Sequence, residues 1–186
     1  MRLLFIDTET GGIDPQKHAL LSIGLVVWES GVIIDSKEIF IKQGNKSITQ
    51  KSLSINKIDC VKHNKQAVTP ITAIKNILSF IKVHFGDEKV TCAGHNVSFD
   101  VSFIKQMFKN NHRSFDNYFS YRLIDTSSIL SFLYLANMVP YQINSSSKAF
   151  DYFGISVNGR HTAIGDAIAT VELFEKLLSA MQNTTD

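Results

Sequence analysis

The sequence has few cysteines, no long hydrophobic run and little net charge. Its two cysteines, Cys60 and Cys92, are too few for a disulfide framework and lack the spacing of a zinc site, which favours a reducing compartment. No apolar stretch is long enough to cross a membrane, and the first apolar run meets Asp7 too early for a signal peptide. These absences predict a cytoplasmic protein with no membrane partner.

The net charge of +2 is too small to identify a partner, but the lysines are unevenly distributed. Residues 37–65, which we call the basic block, contain seven lysines against Glu38 and Asp59. Such a block is typical of a phosphate-binding surface. The alternative is a lysine-rich face that contacts only solvent.

The size and composition indicate one globular domain. The chain has 186 residues, of which 44% are hydrophobic and 19% charged, and these are ordinary values for a protein with a packed core. We expect a single domain over residues 1–182, followed by a polar tail at residues 183–186.

The first part of the chain predicts three neighbouring strands. Residues 2–6, 20–30 and 32–42 are rich in strand-forming residues, and Ser30-Gly31 between the last two predicts a hairpin. The first three strands should therefore be antiparallel neighbours.

Helices and strands alternate in the rest of the chain. Residues 69–85 predict a helix with Thr69 as N-cap and Pro70 at its first position. The same patterns predict a strand at 89–94, a helix at 99–111, a strand and helix across 122–136 capped by Asp125 or Thr126, and a last helix at 165–181. The fold class is therefore α/β, with a mixed sheet flanked by helices. Segments 43–68 and 138–148 give no clear assignment.

Four carboxylates and one histidine follow apolar segments. Asp7 and Glu9 lie two residues apart in a strand, so their side chains point to the same face and repel unless a cation lies between them. The alternative is a strand that simply ends in solvent. Asp100 and Asp166 also lie at element ends, where side chains can converge in a cleft. His161 precedes Asp166 by five residues and should lie on the preceding loop.

Three motifs resemble those of the DEDDh family of 3′-to-5′ exonucleases. They are FIDTETGG (5–12), HNVSFD (95–100) and HTAIGDA (161–167), and the family includes the proofreading epsilon subunit of bacterial DNA polymerase III. The resemblance implies a ribonuclease H-like fold and a two-metal site. It assigns two divalent cations, Mg²⁺ or Mn²⁺, to four carboxylates and the role of general base to His161. The carboxylates are Asp7, Glu9, Asp100 and Asp166.

The resemblance also implies a set of residues that bind the substrate. Near residues 53–56 the family commonly has a His-Gly pair, which is missing here. The family also often has two threonines before one glycine after the acidic pair, whereas this chain has Thr10-Gly11-Gly12. The implied substrate-binding residues are Thr10, Gly11, Leu53, Asn56, Asn96 and Phe99.

These motifs predict a metal-dependent exonuclease that releases nucleoside monophosphates from single-stranded 3′ ends. We expect DNA to be preferred, because Leu53 and Ile55 would leave a 2′-hydroxyl without a partner, although Asn56 offers one. The alternatives are an RNA exonuclease of the oligoribonuclease or ribonuclease T type and a non-catalytic module associated with a polymerase. The expected partners are single-stranded nucleic acid and, second, a DNA polymerase.

Overall fold

A computed structural model describes residues 1–182, without the side chain of Cys60. The predicted polar tail, residues 183–186, lies outside the described residues. The elements are β1 (Arg2–Thr10), β2 (Leu20–Glu29), β3 (Val32–Phe40), α1 (Gln50–Asn56), α2 (Cys60–Gln66), α3 (Pro70–Phe85), β4 (Val90–Gly94), α4 (Val97–Asn110), a 3₁₀ turn (Phe115–Asn117), β5 (Phe119–Asp125), α5 (Thr126–Leu135), α6 (Ser146–Phe153) and α7 (Ala163–Gln182).

The five strands form one mixed sheet in the order β3-β2-β1-β4-β5. The first three strands pair antiparallel, and β4 and β5 continue the sheet parallel to β1. Helices pack on both faces. The predicted α/β class and the antiparallel start of the sheet are confirmed.

Strand β1 is central, and its side chains alternate between two hydrophobic layers. Leu4 and Ile6 pack in the cluster that contains residues of α3 and α4. Leu3 and Phe5 face the other way, towards α7, where the Phe5 and Phe174 ring centroids lie 5.4 Å apart. The end of β1 therefore lies between α4 and α7, and each helix can deliver a side chain to it.

Local predictions based on turn and cap residues are confirmed. Ser30 and Gly31 connect β2 and β3 with φ values of 50° and 87°, as a tight hairpin turn requires. Helix α3 begins at Pro70, and the hydroxyl of Thr69 accepts a hydrogen bond from the Thr72 N–H at 3.3 Å. Asp125 caps α5 by accepting from the Ser127 N–H at 2.9 Å.

The structure differs from the sequence-based expectations where helices are short or irregular at their ends. Helix α4 begins at Val97 rather than residue 99, after Asn96 in a left-handed conformation with φ of 57°. The unassigned segment 43–68 contains α1 and α2, and α6 begins within the segment 138–148. At seven residues each, α1 and α2 span only two turns, too few for a hydrophobic period to stand out.

Across residues 1–182, we find no helix with the length and apolar character that crossing a membrane requires. Cys92 is a free, buried cysteine in the layer between the sheet and α3 and α4.

Candidate active site

Three carboxylates meet at the end of the central strand. Asp7 and Glu9 continue the alternation that points Leu3 and Phe5 towards α7, and Asp166 lies in the first turn of that helix. One oxygen from each of the three carboxylates lies within 4.8 Å of the others. The structure therefore brings together three of the four predicted metal ligands in one group.

Gly24 explains how α7 comes so close to the sheet. This residue lies on β2, in register between Asp7 on β1 and Glu38 on β3. A Cβ atom at Gly24 would lie 2.3 Å from the Ala163 carbonyl oxygen, so any larger residue would push the first turn of α7 away. Close packing on this glycine holds Asp166 next to Asp7.

Asp100 lies beside this group but on the α4 side of β1. It is 4% exposed, and its Oδ1 accepts a hydrogen bond from the hydroxyl of Thr8 at 2.6 Å. Thr8 points to the opposite face of β1 from Asp7 and Glu9, as strand alternation requires. Asp100 is outside the group of three, yet close enough for its charge to raise the pKa of Asp7.

Burial and nearby negative charges raise the pKa values of Asp7, Glu9 and Asp100. Burial first, and then the charges of Asp166, Asp100 and Glu38, raise the pKa of Glu9 from 4.5 to about 8, against the lowering effect of Arg160. The pKa of Asp7 is raised well above 3.8, first by burial and then by Asp100, Asp166 and Glu9. Burial likewise raises the pKa of Asp100 to about 7. Full ionisation near neutral pH therefore needs positive charge in the centre of the group.

The donor set fits a hard divalent cation. Carboxylate oxygens are the ligands that Mg²⁺ and Mn²⁺ prefer, and a cation among them would replace the repulsion between Asp7, Glu9 and Asp166 by attraction. Such an ion would also favour the ionised form of these carboxyl groups, which burial disfavours.

His161 lies on the loop before α7, as predicted. Its φ is 67°, and it lines a cleft of about 260 Å³ together with Glu9 and Lys57. We call this the smaller cleft. His161 is thus adjacent to the acidic group, and its role as general base stays a prediction.

A larger cleft of about 430 Å³ opens on the other side of Glu9 and Asn56. Among the predicted substrate-binding residues, Thr10, Asn56 and Phe99 line it. Lys51 of the basic block lines it as well, whereas Lys57 and Lys62 line the smaller cleft.

The apolar wall of the larger cleft differs from the predicted one. Ile13 and Ile55 line it and are 83% and 54% exposed, whereas Leu53 is not among its lining residues in the described part of the chain. Leu53 and Ile55 lie on the same short helix, α1, but only Ile55 of the two faces the cleft. The predicted contact of Leu53 with substrate stays a prediction.

Gly11 and Asn96 have structural explanations that the sequence did not reveal. Gly11 is buried, and a Cβ atom there would lie 2.6 Å from the Ser47 carbonyl oxygen. The backbone N–H of Asn96 donates to Asp125 at 2.8 Å, which ties the start of α4 to the end of β5. Their predicted contacts with a nucleotide stay predictions.

Sequence reasoning missed two charged residues next to the acidic group. Arg160 Nη1 lies 2.5 Å from Asp166 Oδ1 and forms an ion pair with it. Glu38 lies at the start of α7, where the backbone N–H groups of Ile164 and Ala163 oppose the effect of burial, which raises its pKa. Arg160 could have been found from the sequence, because it directly precedes His161 of the third motif. Glu38 is far from every motif, so the sequence offered no signal for it.

A comparison with family models identifies the class of protein to which this fold and acidic group belong. The RNase_T model, described as Exonuclease, matches residues 4–174. The chain belongs to this exonuclease family. The resemblance to the DEDDh 3′-to-5′ exonucleases, and with it the prediction that the protein is an enzyme, is confirmed.

The chain is similar in sequence to proteins of two kinds, ribonuclease T and PolC-type DNA polymerase III. The chain is 32% identical to a ribonuclease T of Wigglesworthia glossinidia brevipalpis, over 94% of this chain and 83% of the relative. It is 28% identical to a PolC-type DNA polymerase III of Caldanaerobacter subterraneus subsp. tengcongensis, over 95% of this chain but 11% of that protein.

Solved structures support the fold. Escherichia coli exonuclease I in complex with a dT13 oligonucleotide superposes with a TM-score of 0.84 at 16% identity, over all of this chain and 42% of the exonuclease I chain. The predicted ribonuclease H-like sheet is therefore confirmed, and this chain corresponds to less than half of exonuclease I.

Proposed function

We propose that this protein is a metal-dependent 3′-to-5′ exonuclease that releases nucleoside monophosphates from single-stranded ends, with DNA preferred over RNA. The observation that carries the proposal is the acidic group of Asp7, Glu9 and Asp166, adjacent to a cleft of about 430 Å³ in a chain of the exonuclease family. A non-catalytic module is disfavoured, because it has no physical reason to keep repelling carboxylates half-buried together.

The residues divide the reaction among them. Asp7, Glu9 and Asp166, with Asp100 beside them, would hold two divalent cations, Mg²⁺ or Mn²⁺. Bound cations in such sites lower the pKa of water and offset the charge of the leaving oxygen. His161 accepts the proton of the attacking water, whose oxygen bonds to phosphorus as the bond from phosphorus to the 3′ oxygen of the preceding nucleotide breaks. The products are a nucleoside 5′-monophosphate and a chain shortened by one nucleotide.

The polar groups along the larger cleft argue for DNA. The Thr10 hydroxyl donates to the Gly12 carbonyl oxygen at 2.8 Å. The Asn56 amide donates to the Thr10 carbonyl oxygen and accepts from the Ile58 N–H, both at 3.3 Å. With these groups paired inside the protein, a 2′-hydroxyl that lies against Ile55 or Ile13 would face apolar surface. A buried hydroxyl without a partner costs about 1 to 3 kcal/mol.

The test compares matched DNA and RNA oligonucleotides of one sequence, each with a 5′ label and a free 3′-hydroxyl. With Mg²⁺ present, we expect stepwise shortening from the 3′ end, faster for DNA, and nucleoside 5′-monophosphates as products. Asp166→Asn is the matched control for metal-dependent chemistry. Release of nucleosides, or shortening from the 5′ end, would contradict the proposal.

Ribonuclease T-type activity on RNA is the second candidate, because the ribonuclease T relative covers most of both chains. Faster degradation of the RNA oligonucleotide in the same assay would establish it in place of the DNA preference. The acidic group and its proposed chemistry would stay the same in either case.

We further propose a DNA polymerase as protein partner. The support is that matches to PolC-type DNA polymerase III cover nearly all of this chain and about a tenth of the polymerase. Co-purification of a polymerase with the tagged chain from its own cells would support this, and nuclease activity with no polymerase in the complex would argue for an independent enzyme. The cytoplasmic location and the domain limits 1–182 stay predictions.

A further inference from the structure

Arg160 is fixed in place by contacts on two sides, beyond its ion pair with Asp166. Its Nη2 donates to the hydroxyl of Ser147 at 2.6 Å and lies 3.4 Å from that of Ser146, both in α6. Its guanidinium carbon lies 5.2 Å from the ring centroid of Phe150, also in α6. These contacts hold the guanidinium against α6 whatever its Nη1 binds.

The other edge of this guanidinium contacts Asp166 of the acidic group. Nη1 lies 2.5 Å from Asp166 Oδ1, and Asp166 is one of the three grouped carboxylates that would bind a divalent cation. A guanidinium offers a planar fork of donors that fits phosphate as well as carboxylate. If a cation took Asp166 as a ligand, this edge of Arg160 would lose its carboxylate partner and would be available to a phosphate at the same site.

We propose that Arg160 is a phosphate-binding residue of this site, which pairs with Asp166 in the metal-free protein and with the nucleotide phosphate in the complex. The proposal rests on the proposed function, since it assumes that nucleotides bind at the acidic group. Arg160 would thus bind Asp166 first and the nucleotide phosphate second, and its contacts with α6 would keep the guanidinium close to both.

The two partners predict effects of opposite sign when Arg160 is removed. Without nucleotide, Arg160→Gln frees Asp166 from a competing cation, so the Kd for Mn²⁺ should fall about 3- to 10-fold. With Mn²⁺ bound, the same variant lacks a charge-assisted bond to phosphate, so the Kd for thymidine 5′-monophosphate should rise about 10-fold or more. A residue that only stabilises the fold would weaken both.

The experiment measures Mn²⁺ binding by electron paramagnetic resonance and thymidine 5′-monophosphate binding by calorimetry at saturating Mn²⁺. Arg122→Gln is the matched control: its guanidinium lies 5.2 Å from the Tyr121 ring, so it removes an equivalent stacked arginine outside the site. It should leave both constants unchanged. Arg160→Lys keeps the charge without the fork and should retain the competition with Mn²⁺ but lose affinity for the nucleotide.

Ser147→Ala provides a second variant that keeps the charge of Arg160 and removes its anchor. We expect it to weaken nucleotide binding without tightening Mn²⁺ binding. Unchanged or weaker Mn²⁺ binding by Arg160→Gln, or unchanged nucleotide affinity, would overturn the proposal, as would failure of the wild-type protein to bind the nucleotide. Because these are binding measurements, a protein without nuclease activity would refute the proposed function separately.

Discussion

Glu9→Gln should stabilise the metal-free protein at alkaline pH. Burial, followed by Asp166, Asp100 and Glu38, raises the pKa of Glu9 from 4.5 to about 8 in the folded state. The folded protein therefore binds this proton more tightly than the unfolded chain does. The contribution of Glu9 to the free energy of unfolding is therefore highest below pH 4.5, falls as the pH rises to about 8, and is then level.

The size of the effect follows from this pKa difference. A rise in the pKa from 4.5 to about 8 means that ionised Glu9 lowers the free energy of unfolding by at most roughly 5 kcal/mol above pH 8. Glu9 is partly exposed, so solvent screening reduces the expected gain in Glu9→Gln to about 2 to 4 kcal/mol at pH 8.5 and about zero at pH 4.5.

Urea unfolding with a chelator at pH 4.5, 7 and 8.5 measures this difference. Glu172→Gln, an exposed glutamate on α7, is the control and should show no such pH-dependent gain. Added Mg²⁺ should stabilise the wild-type protein more than Glu9→Gln and so reduce the advantage of the variant. A gain of equal size at all three pH values, or a loss at pH 8.5, would refute the electrostatic reasoning.

Three further predictions concern activity and binding. Asp7→Asn should abolish nuclease activity and Mn²⁺ binding while the metal-free variant is at least as stable to heat as the wild type; substantial Mg²⁺-dependent turnover would contradict the metal assignment. His161→Ala should reduce the rate about 10²- to 10⁴-fold with little change in Mn²⁺ affinity, and a normal rate and pH profile would place the base elsewhere. Substrate affinity should fall with salt, and replacing Lys51 and Lys57 by Gln should reduce the slope by about 1.4. Replacing Lys46 should change the slope less, because its ammonium donates to the backbone carbonyl of Gln16. An unchanged slope in the double variant would mean that the basic block contacts only solvent.

The sequence contained enough local information to predict most of the sheet and the acidic residues. Strand alternation, caps and turns depend on neighbours within a few residues, so β1, the β2–β3 hairpin and α3 were predicted near their observed positions. The same alternation determined that Asp7 and Glu9 share one face of β1. The short helices α1 and α2 were not predicted, because their residues form too few turns to show a period.

Contacts between residues that are distant in the sequence decided how the site residues are arranged. Gly24 lets the first turn of α7 lie on β2, and this contact determines which carboxylates meet. Arg160 acquires its partners from α6, 13 residues away in the case of Ser147. Asp100 is separated from the other acids by the pleat of β1, which the motifs do not encode. The sequence by itself determined which residue types reach the site. The packing of α4, α6 and α7 against the sheet decided the distances between them, because those distances depend on contacts between residues that are far apart in the sequence.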